Sequence, residues 1–275
     1  MNDQRRGPRR VLTPIFTVVM VVALAVGGVA IYRGVRHKST SSCRVDVHDT
    51  PPDVVTLSTD QAENATTIAA VAKRLGLADH AVTIGLAAAL QESKLQNLGH
   101  GDRDSLGLFQ QRPSQGWGTP QQVMDPAYAA NAFFTHLARV ANWENLPVTT
   151  AAQEVQRSGA PDAYAGWEPE ARVIARALTG ETPAGLACST PSSRPPTIDA
   201  SLTTTMTREL GPVTFGAPVA THRGWTIASW LVTHARRFGI SAVELDGYRW
   251  TPGSGHWSKV TPAVSQVSVE RYSTT

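Results

Sequence analysis

Between Ala81 and Leu90 the chain reads Ala-Val-Thr-Ile-Gly-Leu-Ala-Ala-Ala-Leu, ten residues without a charge. At about 3.6 residues per turn, such a run is apolar on every side of a helix rather than on one face. It can be stable in water only when other elements surround it. Ile84, Ala88 and Glu92 follow at i, i+4 and i+8, along one slowly drifting face, and Leu86, Ala87, Ala89 and Leu90 cover the remaining sides. The run therefore leads to a carboxylate at the edge of an apolar wall. Burial there raises a carboxyl pKa, and a raised pKa keeps the group protonated near neutral pH, as a general acid requires. Spacing alone leaves another arrangement open, in which Glu92 emerges into solvent at the last turn or pairs with Lys94 or Arg112.

The flanking sequence supplies the surrounding helices. Ser58 and Gln61 have the spacing of a capping box, predicting a first helix to about Leu75 with Gly76 past its end. Asp79 is a candidate N-cap for the second helix, through about Leu95. A glycine-rich irregular stretch over 96–120 follows. Asp125-Pro126 opens a third helix to about Val140, Thr150 and Gln153 begin a fourth, and Glu168–Thr179 forms a fifth, stopped by Gly180. Residues 58–180 thus read as a mainly α-helical domain. Residues 181–204, with prolines among Ser and Thr, read as a linker, and 205–275 as a small α+β domain. In it, Gly224–Phe238 is amphipathic, Asp246-Gly247 marks a hairpin between 241–245 and 248–250, and Val267–Tyr272 alternates as a strand.

The N-terminal region sets the compartment. Val11–Tyr32 is an uncharged, almost wholly apolar run of twenty-two residues. As a helix it would span about 33 Å, enough to cross a bilayer. Residues 1–10 then form a short basic cytoplasmic tail, 11–32 a transmembrane helix and 33–57 a polar stalk; a cleaved signal peptide is the competing reading. Seven of the basic residues lie within 1–38, leaving eighteen basic against twenty-one acidic residues in 39–275. The excess positive charge belongs to the membrane flanks, which argues against nucleic-acid binding. Cys43 and Cys188 are the only cysteines and bracket the helical region. They predict a disulfide, and with it an extracytoplasmic body on a single-pass membrane protein; two unrelated thiols are the alternative.

Leu90-Gln91-Glu92-Ser93 is followed, fourteen residues after Ser93, by Gly107-Leu108-Phe109-Gln110-Gln111. The order is similar to that of the goose-type lysozyme and lytic transglycosylase superfamily. There a Glu-Ser pair closes a helix and a Gly-Leu-(Met/Phe)-Gln turn lines the same cleft. Asp125-Pro126, Asn131-Ala132 and Leu137 resemble the next family helix. Val155-Gln156-Arg157-Ser158 with Pro161-Asp162-Ala163-Tyr164 occupies the place of the family's Tyr-Asn-Ala-Gly element without matching it. The resemblance covers roughly residues 60–180.

It implies a lysozyme-like fold acting on peptidoglycan glycan strands, with Glu92 as general acid and then base and with a 1,6-anhydro product. Ser93 and Gln110 would bond the sugar or the intermediate, Gly107 would let the backbone approach it, and Tyr164 would line the cleft. Trp117 is the best candidate for stacking on a sugar face. Asp102 or Asp104 could instead supply a second carboxylate, at ~6.5–9.5 Å, for an inverting muramidase. A further alternative is an inactive module that only holds glycan. No cofactor or metal is expected: a calcium loop from Asp102 would have Leu106 fifth and Pro113 twelfth. The C-terminal domain carries seven basic and five acidic residues over 197–275, against nine and thirteen over 58–181. That contrast could hold an anionic wall polymer, although its four tryptophans also suffice as a core.

Overall fold

A computed structural model describes residues 41–47 and 54–273, which belong to one compact unit. The expected transmembrane helix at 11–32, the tail before it and part of the stalk lie outside the described residues. Within them, no helix is long and apolar enough to cross a membrane.

The apolar run forms α2 (Asp79–Ser93), and every residue from Ala81 to Leu90 is buried. It is enclosed by α1 (Thr59–Arg74), α4 (Pro126–Leu137), α5 (Val148–Gln156) and α6 (Glu168–Leu178). A short α3 (Pro120–Val123) precedes α4. Gly85 makes room for α4, since a Cβ there would lie 2.7 Å from the Phe134 ring. Helix starts follow local chemistry. Ser58 accepts from the Gln61 backbone at 3.2 Å and the Gln61 side chain accepts from the Ser58 backbone at 2.9 Å, completing the box. Asp125 accepts from the Ala127 and Tyr128 amides at the start of α4. Asp79 is not the N-cap of α2. Ala78 holds that position, and the Asp79 carboxylate is taken by Lys73 of α1 at 2.6 Å.

Two expected connectors are strands instead. β1 (Ser42–Asp46) falls in the predicted stalk, as does most of β2 (Val54–Ser58), and β3 (Leu186–Ser189) lies in the predicted linker. They form an antiparallel sheet in the order β2-β1-β3. The physical reason is a short period-two pattern: Cys43 and Val45 of β1 and Val47 just past it are buried, as are Val55 and Leu57 of β2. Cys43 and Cys188 are register partners across β1 and β3, and their sulfurs are bonded.

The C-terminal part comprises α7 (Leu202–Leu210), α8 (Thr221–Thr233), α9 (Ala235–Phe238) and β4–β7 (Ile240–Leu245, Tyr248–Trp250, Trp257–Lys259, Ser268–Arg271). The strands form a second antiparallel sheet, ordered β6-β5-β4-β7. Asp246 and Gly247 both have positive φ, 51° and 76°, as the two-residue hairpin turn demands. The amphipathic stretch is broken at His234 into α8 and α9. This part does not stand away from the helical region. α7 and α8 pack on α1, and the Trp250 and Trp257 indoles donate to the Cys188 and Leu186 carbonyls of β3 at 2.9 and 2.8 Å. Trp225, Trp230 and Trp250 are fully buried, so they serve the core of the described unit.

Candidate active site

The site grows from the C-terminal end of α2. Lys94 and Leu95 adopt left-handed conformations, with φ of 56° and 60°, and turn the chain sharply out of the helix. Their carbonyls do not go unpaired, because α1 supplies Gln61 to Lys94 at 2.9 Å and Asn64 to Leu95 at 2.8 Å. Glu92 therefore occupies the last turn of a helix fixed at its end by a neighbour, and its side chain is half-buried.

The turn at 107–110 is bound to that helix end. The buried Ser93 hydroxyl lies 3.0 Å from the Ala89 carbonyl and 2.7 Å from the Leu108 carbonyl, serving both as donor. Ser93 is thus a staple between helix and turn rather than a hydroxyl directed at a ligand. Gly107 has φ of 78°, and a Cβ there would lie 2.3 Å from the Val123 carbonyl oxygen. The residue is needed for protein packing, whatever else approaches it. Gln110 also has positive φ, and its amide donates to the Gly107 carbonyl at 3.2 Å. Phe109 is buried and stacks on Phe133 of α4 with centroids 4.7 Å apart.

Tyr164 is the residue that the structure brings to Glu92. Seventy-two positions downstream and wholly buried, it donates its phenolic hydrogen to Glu92 Oε1 at 2.8 Å. Burial raises the Glu92 pKa above the ordinary carboxyl value, while Tyr164, Gln156 and Lys94 oppose that shift. Burial also pushes the Tyr164 phenol upward, helped by the Glu92 carboxyl, so it stays a donor. With Oε1 held as an acceptor, the proton of the neutral acid is directed to Oε2.

Gln156, at the end of α5, completes the surroundings. Its amide donates to the Phe109 carbonyl at 2.9 Å and also faces Glu92. The same residue lines a groove of 660 Å³, together with Trp117, His136, Arg139, Val140 and Arg157. Trp117 is half-buried and packs against His136 with centroids 4.3 Å apart and planes tilted by 37°. The groove thus joins the aromatic candidate to the carboxyl through one shared side chain.

The two aspartates sit differently. The Asp102 side chain is 90% exposed, with only Arg103 at 3.8 Å. Asp104 accepts from Arg112 at 2.8 Å and from the Ser114 backbone and hydroxyl at 2.7 and 2.9 Å. Arg112, and then Ser114, hold its carboxyl well below the usual range. Asp104 closes the 104–114 loop, and Arg112 is thereby kept from Glu92.

Three further residues flank the site, and only Gln156 lies in a segment that the resemblance covers by motif. Besides Gln156, the Trp167 indole donates to Gln91 at 2.8 Å and lies 3.9 Å under the Lys94 ammonium. Glu170 is a second carboxyl whose pKa burial raises, against the opposing charge of Lys94. A tryptophan immediately before the Glu168-Pro169 helix start was the available signal for this cluster.

No family model matches the chain, and no curated protein proves similar to it.

Proposed function

We propose that this chain is a membrane-anchored peptidoglycan lytic transglycosylase, held by residues 11–32 with its body outside the cytoplasm. Glu92 Oε2 gives its proton to the oxygen joining MurNAc C1 to GlcNAc, and the C1–O bond breaks. The resulting carboxylate faces the positive charge developing at C1. It then takes the proton of the C6 hydroxyl as that oxygen attacks C1, closing a 1,6-anhydro ring. Glu92 ends protonated, no water is consumed, and a single carboxyl suffices.

The observation that carries this reading is the pairing of a half-buried, raised-pKa Glu92 with the Tyr164 hydroxyl at 2.8 Å, beside a groove bearing Trp117. Tyr164 orients the carboxyl and Gln156 steadies its ionised form, so the same group is poised to act as acid and then as base. Ser93 and Gly107 contribute by fixing the turn, and Trp117 offers an apolar face to a sugar ring. An inverting mechanism through Asp104 is disfavoured because that carboxylate is already committed to Arg112 and Ser114.

The test is product analysis by mass spectrometry after incubating purified full-length protein with peptidoglycan. Soluble fragments with 1,6-anhydro ends are expected, and none from Glu92→Gln. Reducing ends would replace the transglycosylase with a hydrolase. Equal release by wild type and variant would remove Glu92 from the chemistry, and glycan binding without release would leave an inactive module.

A further inference from the structure

The groove beside Glu92 carries more charge than holding a neutral sugar requires. Arg139 lies just past α4 and Arg157 caps α5 in a left-handed conformation with φ of 51°. Both are exposed, both line the 660 Å³ groove, and neither guanidinium has an ion-pair or hydrogen-bond partner among the described residues. Arg112, Arg172, Arg176 and Arg208 are, in contrast, each paired with a carboxylate. One acidic side chain, Glu154, lies in the same groove, and it too is unpaired, so it neutralises neither guanidinium directly. Two free guanidiniums therefore share a groove with an aromatic surface and with the Gln156 that touches the Glu92 surroundings.

We propose that Arg139 and Arg157 make this groove a recognition site for the carboxylates of the stem peptide on the muramyl sugar. The inference rests on the proposed glycan cleavage. Trp117 and Gln156 line this same groove, so a strand that stacks on Trp117 passes the two guanidiniums. The anionic groups of such a strand are peptide carboxylates, and guanidinium planes match carboxylates with two parallel hydrogen bonds. Val140 adds apolar surface for short peptide side chains. Peptide-bearing strands are thus the preferred substrate, and bare strands the poorer one.

Binding tests this separately from cleavage. Full-length protein carrying Glu92→Gln is titrated with three soluble glycan strands: peptide-bearing, peptide-bearing with amidated carboxylates, and enzymatically stripped of peptide. The free-carboxylate strand is expected to bind about tenfold tighter than either of the others, the size of one charge-assisted contact. Rising salt should narrow the gap. Adding Arg139→Gln and Arg157→Gln should bring the free-carboxylate strand to the level of the amidated one. Equal affinity for free and amidated strands overturns the proposal without reliance on any arginine variant, and so does a preference that survives both substitutions. If wild type releases no product but the preference stands, the cleavage reading falls and the recognition site remains. If Glu92-dependent cleavage is found and all three strands bind alike, only the recognition site falls.

Discussion

Two carboxyl groups, one buried and one half-buried, sit in contrasting surroundings in this molecule. Glu209, on α7, is 3% exposed and surrounded by donors. Thr67 of α1 and Trp230 of α8 each donate to its Oε2 at 2.8 Å, and Arg208 reaches its Oε1 at 3.3 Å. The neighbouring Thr66 and Thr233 hydroxyls meet at 2.8 Å, carrying the same polar seam between α1 and α8. Glu92 is less buried but less satisfied. Its Oε1 accepts from Tyr164, and the groove leads to its surroundings through Gln156. A carboxylate encircled by donors joins three helices. One with a single firm donor, held at the edge of an apolar wall, can exchange its proton. Burial alone does not distinguish the two; the donor count does.

The comparison breaks first at Glu92. Glu92→Gln should lower glycan release by about a thousandfold or more, as loss of a general acid does, without lowering the thermal midpoint. Release assays on calorimetrically matched samples check both halves. Glu209→Leu should do the opposite. It leaves the Thr67 hydroxyl and Trp230 indole as buried donors without an acceptor, for a loss of roughly 3 kcal/mol in chemical denaturation. Activity per folded molecule should persist; a variant that keeps full stability would undo the structural role assigned to Glu209.

A smaller effect is expected at Tyr164→Phe. The Tyr164 bond opposes the burial shift of Glu92, so its loss moves the Glu92 pKa further up. The alkaline limb of the pH–rate profile should shift to higher pH, with a rate loss of about tenfold from poorer orientation. An unmoved alkaline limb would show that the phenol does not tune Glu92. The smallest effect concerns stability. A carboxyl with a raised folded pKa binds more protons when folded, so its contribution falls as pH rises from the unfolded value through the folded one. Glu92→Gln should therefore be equal to wild type in stability at acid pH and slightly more stable at neutral pH. Denaturation midpoints at pH 4 and pH 7 decide it.

Much of the helical region was legible because its signals are local. The Ser58 box, the Asp125-Pro126 start and the all-round apolar run each act within one or two turns. The first sheet was obscured because each of its strands is five residues or fewer, and because polar Ser, Arg and Asp alternate with Cys43 and Val45. Two inward residues on one strand are a weak pattern until a partner strand covers them. At the site, Glu92 could be read from the helix that carries it. Tyr164 came from the resemblance as a cleft residue, but its bond to Glu92 could not be read, since it lies far along the chain and only the folded path after α5 returns it. Ser93 shows the remaining ambiguity. A hydroxyl next to a reactive carboxyl looks the same in sequence whether it meets a sugar or a backbone carbonyl, and here it meets Leu108. Asp104 is a similar case, its role fixed by Arg112 and Ser114.

The bond between Cys43 and Cys188 also has a topological consequence. It joins positions 145 apart, so everything from β1 to β3, including Glu92, Tyr164 and the groove, lies within one covalent ring. A protease cutting once at an exposed loop inside that ring, such as Gly99–Asp102, would free no fragment. The nicked chain would keep its mass in non-reducing electrophoresis and split only on reduction. Damage at one point would leave the two pieces joined in register.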